Sequence, residues 1–259
     1  MKSALIGYTG FVGSNLNAQN DFDGKYNSSN ISDIDGKSYD LVVSAANGAE
    51  MWRINQEPEK DRANIDSFIE HLRTAQIKQL VLISTVGVYK NPVGVDEDTP
   101  IDTDGLTPYG VNRYYLEQFC AEHFDTLIVR LPGLFGPGLK KNVIYDLIHD
   151  NNVDRIHRAG IYQYYNLDHI WQDIQTALDN DVKLINFATP PVRTDELAKA
   201  CFGIDFGNEP ENIKPANFDM RTKFASLYGG NGSYLCTKEE ELADVKTFVT
   251  KETTEKGQG

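Results

Sequence analysis

Tyr109 and Arg113 stand four positions apart in a stretch, Thr107 to His123, whose pattern predicts a helix. Residues so spaced share a helix face. A cation on that face favours tyrosinate over tyrosine and lowers the phenol pKa. A second grouping is Gly7-Tyr8-Thr9-Gly10-Phe11-Val12-Gly13, set between a short apolar run, Ser3 to Ile6, and a predicted helix from about Phe11 to Ala18. Its first glycine permits a tight turn. The second lets backbone N–H groups approach a pyrophosphate, and the third lets helix and strand pack closely. The helix N-terminus adds its dipole and free donors for an anion. Gly7, Thr9, Gly10, Phe11, Val12 and Gly13 therefore read as a dinucleotide seat.

The elements that must hold these groups alternate along the first half of the chain. Asp40 to Ser44, Leu80 to Ser84 and Thr126 to Arg130 are short apolar runs that predict buried strands, and a further strand is expected around Lys25-Tyr26-Asn27. Between them, Glu57 to Thr74 predicts an amphipathic helix with Ile65, Phe68, Ile69 and Leu72 on one face. Strands alternating with helices indicate βαβ units and an α/β fold, a doubly wound parallel sheet. After Pro132 the pattern loosens into a glycine- and proline-rich loop. Helices are expected at Asn142 to Asp150, Asp168 to Leu178, Thr194 to Cys201 and Lys238 to Phe248, and strands at Tyr162 to Leu167 and Lys183 to Phe187. Thr237 with Glu240 has capping-box spacing. The polar tail from Lys251 reads as frayed. The expected division is a dinucleotide-binding part, 1–140, and a C-terminal part, 141–259, that completes the sheet and forms a small substrate lobe.

The glycine spacing, G-x-x-G-x-x-G, resembles that of extended short-chain dehydrogenases/reductases, the NAD-dependent epimerase/dehydratase family. Four later segments resemble the same family in the same order. They are Ser44-Ala45-Ala46, like the alanine pair after its fourth strand; Ser84-Thr85-Val86-Gly87-Val88-Tyr89; Tyr109 to Arg113 with Glu117, like its Tyr-x-x-x-Lys helix; and Arg130-Leu131-Pro132-Gly133-Leu134-Phe135-Gly136-Pro137-Gly138. The resemblance implies that Tyr109 is the general acid or base, that Thr85 (or its neighbour Ser84) holds the same substrate oxygen, and that Ala45, Ala46 and Pro132 border the cofactor. It implies an NAD(P)-dependent oxidoreductase or epimerase acting on a nucleotide-linked sugar, and a homodimer paired through the tyrosine helix.

The sequence departs from that pattern at identifiable points. Arg113 replaces the lysine, and a planar guanidinium is not an equivalent point charge. Gly133 stands where many relatives have asparagine, and Tyr162-Gln163-Tyr164-Tyr165 where a late arginine is usual. Thr85 is followed by Val86-Gly87 and not by the acid pair of the dehydratases, which ranks water loss last among the family's chemistries. These departures keep two alternatives open: an NAD(P)-binding module with little or no catalysis, serving as a sensor or assembly subunit, and a reductase of a small non-nucleotide carbonyl. At the adenosine end, Asn27-Ser28-Ser29 offers neutral donors and no carboxylate, which leans to NADP over NAD.

The remaining features exclude other classes. With 25 basic against 38 acidic residues the net charge is -13, which opposes binding to a nucleic-acid backbone. The three cysteines form no C-x-x-C pair and the five histidines show no metal-ligand spacing, so no metal is expected and a reducing cytoplasm is the natural setting. Ala4-Leu5-Ile6 is too short for a signal-peptide core, and no run is long enough to span a membrane. The acid cluster Asp96-Glu97-Asp98 reads as a solvated loop, and Trp52 and Arg53 as pocket-lining or loop-packing residues.

Overall fold

The computed structural model describes every residue except Asn47, Ala49, Asn231 and 257–259. The elements run β1 (Ser3–Ile6), α1 (Phe11–Gln19), β2 (Gly24–Tyr26), β3 (Ser38–Ser44), α2 (Met51–Gln56), α3 (Pro58–Thr74), β4 (Gln76–Thr85), β5 (Val93–Val95), α4 (Pro108–His123) and β6 (Thr126–Leu131). They continue with β7 (Gly133–Phe135), α5 (Val143–His149), β8 (Ile161–Tyr162), β9 (Tyr164–Asn166), α6 (Ile170–Asp179), β10 (Leu184–Asn186), β11 (Val192–Arg193), α7 (Thr194–Leu197), β12 (Asp219–Met220) and α8 (Lys238–Lys256). Six strands form one sheet in the order β10-β6-β4-β3-β1-β2, parallel from β2 through β6. Helices flank it, so the fold is the doubly wound, Rossmann-like one.

Two compact units interleave in sequence. One holds Met1–Asn91, Asp98–Leu131 and Ile170–Ile185; the other holds Pro92–Glu97, Pro132–His169 and Asn186–Gly259. In the first, the inner half of β4 and all of β6 are buried, as central parallel strands covered on both faces must be. Ile65, Ile69 and Leu72, spaced one helical turn apart, bring α3 onto the sheet, and Leu116, Phe119 and Cys120 do the same for α4. The alanine pair follows the third strand in the chain, not a fourth. Between β2 and β3 the chain makes only a 3-10 turn, Ile31–Ile34.

The second unit is built from short strand pairs, β7 with β9, β8 with β11 and β5 with β12, around a cluster that includes Phe135, Ile144, Leu197 and Val249. Glu97 is not solvated: it is 9% exposed and accepts from Asn186 N (2.8 Å), Thr222 Oγ1 (2.6 Å) and Lys223 N (3.0 Å). Nor does the tail fray at Lys251. α8 runs to Lys256 because Val245 and Val249 are buried, while Thr247, Thr250, Thr253 and Thr254 donate to carbonyls one turn back. The capping box at its start is formed, Thr237 N meeting Glu240 Oε2 at 2.8 Å and Glu240 N meeting Thr237 Oγ1 at 3.2 Å.

Glu241, in the first turn of α8, is buried and accepts from Tyr164 N at 2.8 Å. Burial holds its carboxyl pKa well above the ordinary 4.5. The folded state therefore binds a proton that the unfolded chain releases. The stabilisation is complete below the unfolded pKa and is lost as pH rises through the folded one. Glu241→Gln is accordingly expected to flatten the rise of denaturant sensitivity as pH increases above the ordinary value of 4.5. Unfolding curves across that range check this; an unaltered pH profile in the variant would refute it.

Candidate functional site

The carboxyl ends of β1 and β3 meet where the strand order reverses, the crevice in which doubly wound sheets bind ligands. Gly7 leaves β1 with a φ of 84°, and a Cβ there would lie 2.6 Å from the Ala45 carbonyl carbon. A Cβ on Gly13 would lie 2.0 Å from the Gly7 oxygen, so both positions require glycine. Gly10 N donates to Gly7 O at 2.9 Å and closes the turn. α1 then begins at Phe11 with Gly10 as N-cap. No side chain caps it, and no acidic residue occupies its first turn. The leading N–H groups of a helix have no intrahelical acceptor, so this end is built to receive an anion. Thr9 and Gly10 are exposed there, and Phe11 and Val12 are half-buried.

Beside the turn lies a cavity of about 590 Å³, walled by Ile6 and Ala46 at the ends of β1 and β3, by Asn27, Ser28 and Ile31 after β2, by Arg53 and Ile54 of α2, by Asp61 and Asn64 of α3, and by Arg113. Asn27 organises the loop after β2: its Oδ1 accepts from Ser29 N (2.9 Å) and Ser29 Oγ (2.6 Å), and its N donates to Asn30 Oδ1 (2.7 Å). Ser29 is thereby turned onto Asn27 and does not line the cavity, whereas Asn27 and Ser28 do. Ala45 N donates to Ile6 O at 2.8 Å and secures the β3 end of the crevice. The uncapped helix, the two enforced glycines and the adjoining cavity fit a dinucleotide. Gly7, Gly10 and Gly13 would seat its linked phosphates.

Tyr109 lies at the second position of α4, 7% exposed. A Cβ placed on Gly87 would stand 2.9 Å from Tyr109 Cε1 and 3.4 Å from Thr85 Oγ1, so both side chains border one point. Thr85 Oγ1 accepts from Gly87 N at 3.0 Å, which leaves its O–H to donate elsewhere. The Tyr109 hydroxyl makes no hydrogen bond among the described residues. Ser84 takes no part in this pair: buried, it donates to Glu117 Oε1. Pro132 belongs to the second unit and does not line the cavity.

Arg113 is 2% exposed. Its guanidinium carbon stands 5.0 Å from the Tyr109 ring centroid, and its Nη2 donates to Asp61 Oδ1 at 2.8 Å and Gly48 O at 3.4 Å. Its Nε is buried without a partner. The cation thus sits against the tyrosine ring and is held by a carboxylate of α3. Asn112 Nδ2 donates to the same carboxylate at 2.9 Å. Asp61 carries no signal in the sequence, since only the packing of α3 on α4 brings it to Arg113. Trp52 is 65% exposed and off the cavity, while its neighbour Arg53 lines it.

A fold with this switch-point crevice, open helix end and tyrosine helix defines a dinucleotide-binding α/β protein of the extended short-chain type. A model described as the NAD dependent epimerase/dehydratase family matches residues 27–166, more than half of the chain, and the chain belongs to that family. The glycine turn precedes the matched interval. Similar solved structures include an NAD-dependent NDP-hexosamine 5,6-dehydratase of tunicamycin biosynthesis, at TM-score 0.72 and 14% identity over 96% of this chain and 98% of that one. A dTDP-4-dehydrorhamnose reductase ortholog from Clostridium acetobutylicum aligns at TM-score 0.73 and 13% identity over 96% and 99%. A UDP-glucuronic acid 4-epimerase variant from Bacillus cereus, in complex with a UDP-sugar analogue and NAD, aligns at TM-score 0.70 and 16% identity over 97% and 99%. At such identities the likeness is one of fold. No curated protein sequence matches the chain. No helix among the described residues is long and apolar enough to cross a membrane.

Proposed function

We propose that the chain is an NAD(P)-dependent oxidoreductase or epimerase acting on a nucleotide-linked sugar. The observation that carries this is the uncapped start of α1 beside the cavity, in the same unit as Tyr109 and Thr85. Bound nicotinamide would supply hydride exchange at a substrate carbon. Tyr109 gives or takes the proton on the substrate oxygen, and Thr85 donates its free O–H to that oxygen. Arg113 presents its charge to the tyrosine ring face and is shared with Asp61. The sugar-nucleotide class follows from the family and from the substrates of the similar enzymes. Asn27 and Ser28, which follow β2 and wall the cavity, bring no carboxylate to repel a 2′-phosphate, so NADPH is expected to bind at least as tightly as NADH.

The Arg113–Asp61 pair also favours a second reading, a cofactor-binding protein with little turnover. Arg113→Lys separates the two. A large gain in turnover marks a diverged enzyme, and continued silence across a panel of nucleotide sugars marks a binding module.

Gly10→Asp tests the shared premise. A Cβ there would stand 3.4 Å from Gly7 O, an ordinary contact, and the backbone is extended, φ -77° and ψ 172°, suited to an aspartate N-cap. The carboxylate would satisfy the donors of α1 and repel phosphates. Fluorescence titration with NADH and NADPH should show affinity reduced by about 100-fold with no loss of thermal stability. Unchanged affinity would refute the phosphate seat.

A further inference from the structure

We propose that Asn55 is a positioning residue for Tyr109 and that α2 carries the occupancy of the cavity to it; this rests on Tyr109 being the proton-transfer residue. The donors at the head of α4 are met from two places. Pro108 has no N–H to satisfy. Thr107 Oγ1 accepts from Gly110 N at 3.2 Å, and Thr107 O accepts from Val111 N at 3.0 Å. The remaining donor of the first turn is the amide of Tyr109 itself. Asn55 Oδ1 accepts it at 2.9 Å, from 54 residues earlier in the chain. The cap of α4 is complete only when α2 is in place.

Little else holds α2. Ile54 is its one buried residue among those described, and Met51 and Trp52 are 44% and 65% exposed. The carbonyl of Gly48, just ahead of the helix, is met by Arg113 Nη2. The α2 segment is therefore tied to α4 at two points, Tyr109 and Arg113. Its other side, Arg53 and Ile54, is a wall of the cavity. A molecule filling the cavity packs on that wall and restrains α2. Asn55 then stays on the Tyr109 amide, and the ring stays against Gly87 and Thr85. With α2 released, the head of α4 loses a cap, and Tyr109 is the residue that moves. Arg113 Nη2, fixed by Asp61, also holds the entry to α2 through Gly48 O, both bonds leaving the one nitrogen.

Hydrogen–deuterium exchange at Tyr109, Gly110 and Val111, on the full chain with and without saturating NADH or NADPH, tests this. In the native protein, cofactor should slow exchange there by about tenfold. Asn55→Ala should abolish that slowing while leaving cofactor affinity within about threefold, since Asn55 is not part of the cavity wall. Asn55→Asp should restore the slowing, because its carboxylate is also an acceptor and suits a helix N-terminus. If cofactor binds and the Asn55→Ala protein keeps its cofactor-dependent protection, the coupling is overturned and the functional reading stands. The coupling is equally overturned if exchange rises to the same extent with and without cofactor, as for a merely structural cap. If neither nicotinamide binds at millimolar concentration, the functional reading fails and takes this proposal with it.

Discussion

Tyr109→Phe is expected to lower turnover by about a thousandfold, while cofactor affinity and thermal stability remain near those of the native protein. The separation of effects follows from the local packing. The ring lies against Gly87 and under the Arg113 guanidinium, and phenylalanine keeps both contacts. The hydroxyl has no partner within the described chain, so its removal leaves no donor or acceptor unsatisfied. What is lost is the one group placed to exchange a proton beside the Thr85 hydroxyl. Thr85→Val provides a companion with a smaller expected loss. It removes the O–H offered to substrate, but also the acceptor for Gly87 N, and so loosens the turn that carries the site. Turnover of Tyr109→Phe on a panel of nucleotide sugars, alongside an NADH or NADPH titration, checks the prediction. Full activity in that variant would remove Tyr109 from the reaction.

The parts of this molecule that can be read from sequence are those set by local physics. β3, β4 and β6 announce themselves as apolar runs because central parallel strands are buried on both faces. The glycine turn is legible because two of its three positions exclude any side chain. Short strands are not legible in this way. β5 has three residues, and its pairing with β12 joins Val93 to Asp219 across about half of the chain. α2 escapes for a different reason: with Ile54 alone buried, it has no apolar periodicity to read. The candidate site divides along the same line. Tyr109 and Thr85 are legible from spacing and resemblance, and they meet at Gly87. Asp61, Asn55 and the buried role of Glu97 depend on partners more than fifty residues away, for which local sequence holds no signal. Ser84 shows the cost of reading one turn without its neighbours, since its hydroxyl belongs to Glu117.

That contact is part of a buried network whose disruption should have the largest effect on stability. Glu117 of α4 and Arg130 of β6 are 2% and 3% exposed. They pair through two bonds, Arg130 Nε to Oε1 at 3.1 Å and Nη2 to Oε2 at 2.6 Å. Arg130 Nη1 donates to the Tyr89 hydroxyl at 2.8 Å, and Ser84 donates to Glu117. Burial, aided by the Glu117 charge, pushes the neighbouring Cys120 thiol up to about 12. Arg130→Met would leave the carboxylate in this interior with Ser84 as its remaining partner in the network, at a cost of about 3–5 kcal/mol. Arg130→Met combined with Glu117→Leu should recover much of that loss, to within about 1–3 kcal/mol, the remainder being the bonds that the Ser84 and Tyr89 hydroxyls lose to this pair. The single variant should also weaken the site, because Tyr89 ends the Val86–Val88 turn that follows Thr85. Urea unfolding of the single and double variants measures the coupling between the two charges. A single-variant loss below about 1 kcal/mol would mean that hydrophobic packing of α4, and not this ion pair, fixes the tyrosine helix on the sheet.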